Sequence, residues 1–126
     1  MKRSTFLVIA AALALLSGLV FLIAPDQVLY RYGMIVDDAG RLLTRLSGAS
    51  LIAIGLINWT ARRAEDSHAL RAILYGNLAM QLLTLVIDAS ATLSGVANAQ
   101  GWIAVVLHIV LGGGFAYYVY AKPKET

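Results

Sequence analysis

A chain of 126 residues that is 60% hydrophobic and 13% charged, with a mean hydropathy of +0.75, carries more apolar surface than a soluble domain of that size can bury. The net charge of +3 comes from ten basic and seven acidic residues, and the basic ones fall in separate short segments rather than one patch, which argues against nucleic acid as a partner. Without cysteine, disulfides, thiolate metal sites and thiol nucleophiles are excluded. The composition predicts a single all-α domain over residues 1–126, an integral membrane bundle whose first partner is the lipid bilayer.

Four stretches approach the roughly 20 apolar residues of a transmembrane helix: 6–24, 42–60, 70–93 and 102–121. The first follows Met1-Lys2-Arg3 and holds no charge. A basic start and an apolar run resemble a secretion signal, but the run is too long for one and Ala24-Pro25 is a poor cleavage point, so a true span is expected. Its Ala10, Ala14 and Gly18 form two small-xxx-small steps, which let helices approach closely in lipid.

Residues 25–40 make the first loop. Pro25 suits a helix N1 position and Gly33 a stop. Between them Val28, Leu29, Tyr30 and Tyr32 alternate with polar residues, so a short helix lying in the membrane interface is expected. Asp37-Asp38 are adjacent and their side chains diverge, which suits capping of the next helix better than a metal.

The second span has Arg45 as its only charge, with Gly48 and Gly55 a heptad apart. In the loop 61–69, Ser67 or Asp66 is placed to cap the third span, and His68 is expected in water. The third span carries Arg71 at its start and a polar stripe, Asn77, Gln81, Thr84 and Asp88. The spacing i, i+4, i+7, i+11 places all four on one helical face. The turn 94–101 is short, so the third and fourth spans should be antiparallel neighbours. The fourth holds His108 and Gly112-Gly113-Gly114, and the tail 122–126 reads as a solvated anchor.

Lys and Arg counts set the orientation. With the N-terminus inside, the inner side holds Lys2, Arg3, Arg62, Arg63, Arg71, Lys122 and Lys124, and the outer side Arg31, Arg41 and Arg45. Both termini are therefore expected in the cytoplasm of a bacterium, with the protein multi-pass in its inner membrane. Trp59, Tyr117, Tyr118 and Tyr120 at one boundary and Trp102 at the other form an aromatic belt consistent with that placement.

Ionisable groups inside a span are expensive and tend to mark function. At 1.5 Å per residue Asp88 and His108 each lie about 9 Å inside the outer boundary, and Arg45 about 6 Å below Arg41. One intramembrane layer of Asp88, His108 and Arg45 is expected, with Asp88–His108 as the pair and Asp88–Arg45 as its rival. Asn77, in reach of Asn58, reads as glue between helices. One His and one Asp fall short of a three-ligand metal site. A single intramembrane histidine excludes a bis-His haem within one copy, and no nucleophile or phosphate motif is present. No metal and no cofactor are expected.

The uncharged span ending in FLIAP, the interfacial stretch, the Arg-led RLSGASLIAIG and two further spans together resemble small four-span bacterial inner-membrane proteins, loosely like the DoxX group. The resemblance carries no functional residue. Three functions fit the sequence. The first is a non-enzymatic accessory or structural component that packs through Ala10, Ala14, Gly18, Gly48, Gly55 and Gly112 with itself or a larger membrane complex. The second is a small proton-coupled transporter or channel using Asp88, His108 and Arg45. The third is a binder or enzyme of a lipid-soluble molecule such as a quinone or isoprenoid.

Overall fold

The computed structural model describes residues 1–120; Ala121 and the tail read above as an anchor lie outside them. Five helices follow in order: α1 (Arg3–Ile23), α2 (Pro25–Arg31), α3 (Asp38–Ala61), α4 (His68–Leu93) and α5 (Gly101–Tyr120), with no strand among the described residues. All but α2 are long and apolar enough to cross a membrane. α3 and α4 start a few residues before the apolar runs, because polar side chains cap them there. Asp37 accepts a bond from the Gly40 amide at 2.7 Å, and Ser67 accepts from the Leu70 amide at 3.2 Å. Each satisfies one of the amides that a helix start leaves open.

The four long helices form two antiparallel pairs, α1 with α3 and α4 with α5, which touch each other far less than the partners within each pair do. Glycines set the first pairing. A methyl added at Gly18 would sit 2.8 Å from the Gly48 carbonyl oxygen, and one at Gly48 would sit 2.8 Å from the Gly18 carbonyl oxygen. At Gly55 it would meet Leu15 Cγ at 2.6 Å. The backbones of α1 and α3 therefore touch where neither helix has a side chain. Ala10 is buried in this region of α1 and Ala14 half-buried.

α2 is pinned to the start of α3. Arg41 donates to both carboxylate oxygens of Asp26, at 2.8 and 3.3 Å. That hydrogen bond holds the Asp26 carboxyl below the ordinary aspartate range. Pro25 opens α2 at N1, and Gly33, at φ 71°, ends the turn after it; a side chain is strained in that region.

The two pairs are joined in three places. Near the end that carries the N-terminus, Phe6, Leu7 and Ala10 of α1 pack with Leu70, Leu74 and Leu78 of α4 and with Leu111, Phe115 and Val119 of α5. The rings of Phe6 and Phe115 meet edge-on at 4.8 Å. At mid-length Asn58 and Asn77 exchange amide hydrogen bonds of 2.9 and 3.0 Å. At the far end Asn98, in the turn between α4 and α5, donates from its backbone to the Tyr32 carbonyl (2.9 Å) and from its side chain to the Arg31 carbonyl (3.0 Å). The outward faces stay apolar, as with Leu82, Leu83, Val86 and Ile87 of α4 and Ile103, Val106, Ile109 and Val110 of α5. In water such faces would be a liability; in lipid they are the expected surface.

Candidate functional site

The polar stripe of α4 divides between two neighbours. Asn77 turns to α3, where it and Asn58 are both buried and bonded reciprocally. Its amide also donates to the Ile73 carbonyl at 2.9 Å. Gln81, Thr84 and Asp88 turn to α5 and converge on His108. Gly112 makes room for this: a methyl there would already touch the Gln81 Cβ at 3.4 Å, so α5 lies close against α4 one turn from the imidazole.

The histidine is held at both nitrogens. Nε2 is 3.1 Å from Asp88 Oδ2. Nδ1 is 2.6 Å from Gln81 Oε1 and 3.2 Å from Thr84 Oγ1. The Thr84 hydroxyl also bonds the Met80 carbonyl at 2.8 Å. Each ring nitrogen therefore has a polar partner, Asp88 at Nε2 and Gln81 with Thr84 at Nδ1, so the imidazole is fully satisfied within the helix pair.

The site lies toward the end where α2 sits. His108 keeps 16% of its side-chain surface and Asp88 keeps 35%. Tyr32, half-buried in the turn after α2, has its hydroxyl pKa pushed up by burial and, secondarily, by the negative charge of Asp88. Asp88 is thus near the Tyr32–Asn98 clamp as well as near His108.

Arg45 does not join this group. Its side chain is exposed on α3, and it has no ion pair among the described residues. Its depth along the helix matches that of Asp88, but its direction does not: one residue beyond the buried Thr44 is 100° around the helix. Its charge reaches Asp26 instead, adding to the effect of Arg41 there. His68 lies exposed at the start of α4. The cluster at the terminal end gives a further contact that composition does not signal: Arg3 donates to the Ala64 carbonyl at 2.7 Å, tying the start of α1 to the loop after α3. No group of three metal-ligating side chains occurs among the described residues.

An apolar groove of about 440 Å³ runs between α1 and α5 near the N-terminal end. Phe6, Ile9 and Leu13 form one wall, and Leu107, Val110 and Tyr117 the other.

The chain belongs to the family described as Domain of unknown function (DUF8292), whose model matches residues 1–120. No curated protein and no solved structure matches it.

Proposed function

We propose that this member of the DUF8292 family is a non-catalytic component of a bacterial plasma membrane that assembles with a membrane-embedded partner or with further copies of itself. Both termini face the cytoplasm, and α2 lies in the outer interface. One contrast carries this reading. Asn77, Gln81, Thr84 and Asp88 find partners inside the bundle, whereas Arg45 points outward from α3. On the same side of α3, one and two turns on, lie the exposed Ala49 and Ala53, among the exposed Leu42, Leu46 and Leu56. In lipid a charged side chain on such an outward face is best satisfied by a neighbouring helix that offers an acceptor.

The absence of cysteine from the sequence makes the test direct. Single cysteines replace Ala49, Ala53 or, as a control on the opposite pair, Leu83, and are oxidised in native membranes. Crosslinked products from the α3 positions alone support assembly through this face. A protein that stays uncrosslinked at every position, and that runs in lipid nanodiscs at the 13.5 kDa of one chain, refutes it. Labelling by a membrane-impermeant maleimide tests the orientation: a cysteine at Asp38 should react from outside the cell and one at Glu65 only after lysis.

The groove between α1 and α5 favours a second reading, the binding of a lipid-soluble molecule. At roughly 30 Å³ per small group, its volume holds about fifteen methylenes. Filling it by Val110→Trp should expel a co-purifying apolar molecule; a lipid extract unchanged by that substitution counts against this reading.

A further inference from the structure

We infer that the groove between α1 and α5 holds one acyl chain of an anionic phospholipid, whose headgroup meets Lys2 at the end that carries the N-terminus. The inference rests on the second reading above, that the groove takes a lipid-soluble molecule, and names the class of that molecule.

Length and depth select a lipid chain over a helix. The lining runs from Leu107 to Tyr117 on α5 and from Leu13 to Met1 along α1, which at 1.5 Å per residue is about 15 to 18 Å. The hydrocarbon core is about 30 Å thick, so the groove is one leaflet long and ends near mid-membrane. A partner helix that crosses the bilayer needs twice that length. An acyl chain of the leaflet at this end needs no more than is there, and the volume of about 440 Å³ matches about fifteen methylenes at roughly 30 Å³ each.

The floor of the groove is built in advance. Phe6 lies against α5 where Gly114 leaves space, since a methyl there would collide with its ring. That ring meets Phe115 at 4.8 Å and Tyr118 at 5.2 Å, and the Tyr118 hydroxyl donates to the Met1 carbonyl at 2.6 Å. A cleft fixed in this way takes an acyl chain without first ordering its own side chains.

Charge selects the headgroup. Tyr117 and Tyr118 place the mouth of the groove at headgroup level, and Lys2, next to Met1 of the lining, is exposed. Arg3 bonds the Ala64 carbonyl, which brings the loop after α3 to the same end. There Lys2, Arg3, Arg62, Arg63 and Arg71 outnumber Glu65 and Asp66, and Asp66 is already paired with Arg71. The opposite end has no such excess: Arg31, Arg41 and Arg45 stand against Asp26, Asp37 and Asp38. A quinone or a neutral isoprenoid gains nothing from a basic rim, whereas an anionic headgroup does.

Native mass spectrometry of the full chain tests this, after release into mild detergent from nanodiscs of equal phosphatidylglycerol and phosphatidylcholine. One phospholipid per chain should be retained, with phosphatidylglycerol favoured by about fivefold or more, the factor that one basic side chain contributes at a membrane surface. Lys2→Gln, at an exposed position, should lower that preference by about fivefold. Val110→Trp should reduce retention of both lipids, and Ile109→Trp, on the outward face and outside the lining, should not. A lipid retained without headgroup preference, or a preference indifferent to Lys2→Gln, overturns the inference and leaves the groove as a binder of apolar molecules. Retention indifferent to Val110→Trp overturns both. Should Val110→Trp fail to fold, the headgroup preference in wild type and in Lys2→Gln decides the inference.

Discussion

Gly48→Ala isolates the closeness of α1 and α3. The new methyl would lie 2.8 Å from the Gly18 carbonyl oxygen, 2.9 Å from the Leu22 nitrogen and 3.0 Å from the Phe21 Cβ. Two of these are backbone atoms of a facing helix, so no side chain can swing aside and the helices must separate. Gly113→Ala supplies the control within the same fold. It lies in α5, exposed, with nothing within 4 Å of the added methyl. Both substitutions gain the same helix propensity, of about 0.5–1 kcal/mol. Their difference is therefore the steric term, about 2 kcal/mol for overpacking a close contact, or roughly thirtyfold in the folded-to-unfolded ratio. Reversible unfolding in mixed micelles, followed by helical circular dichroism and by the fluorescence of Trp59 and Trp102, measures both variants against wild type. Gly113→Ala should match or exceed wild-type stability while Gly48→Ala falls below it. Equal stability of the two variants would refute the claim that α1 and α3 meet backbone to backbone.

Further predictions concern the polar contacts. Asn77→Leu should cost about 1–3 kcal/mol, because it leaves the buried Asn58 amide without its partner, and the double change Asn58→Leu/Asn77→Leu should cost less than the sum of the single ones; additive losses in the same unfolding assay would mean the amides do not couple. Asp26 titrates below its ordinary range through its bond to Arg41, so its stabilising effect is complete above the unfolded-state pKa and disappears as pH falls through the lower folded-state one. Asp66, held down by its bond to Arg71, behaves in the same sense. Melting temperature should therefore fall on acidification in wild type and less steeply in Asp26→Asn/Asp66→Asn; parallel curves would exclude both contacts. Asn98→Ala removes the side-chain bonds to the Arg31 carbonyl and the Gln100 amide, worth about 1 kcal/mol each. Hydrogen exchange of the Asn98 and Gly101 amides should speed up several-fold, with the rest of α5 unchanged.

The long helices were legible because apolar runs of membrane length leave few alternatives, and their starts because Asp37 and Ser67 are strong caps. The stripe of α4 was legible as a face, since a spacing of three and four is what a helix repeats. Which neighbour each stripe residue meets was only half legible. The short turn 94–101 ties α4 to α5 and so points Asp88 at His108. The loop 61–69 is as short, and brings Asn58 opposite Asn77. Arg45 shows the limit of depth as a guide: distance along a helix says nothing of direction around it. The run Thr44, Gly48, Gly55, now seen as the buried face of α3, held the missing angle. The Asn98 clamp had no comparable signal. One Asn in a turn is ordinary, and its partners lie 66 and 67 positions away in the chain.

The contact between Asp88 and His108 also orders the making of the protein. α4 leaves the ribosome before α5, so for a time its aspartate has no histidine to meet. A lone carboxylate about 9 Å inside the membrane boundary opposes insertion, by less than the roughly 3 kcal/mol that biological scales give for the helix centre, and Gln81, nearer that centre, adds to it. α5, with no fixed charge, enters lipid readily and brings the imidazole with it. The last two helices are thus suited to enter the bilayer together, the later recruiting the earlier. A chain halted before residue 108 should leave α4 poorly inserted although its own sequence is complete.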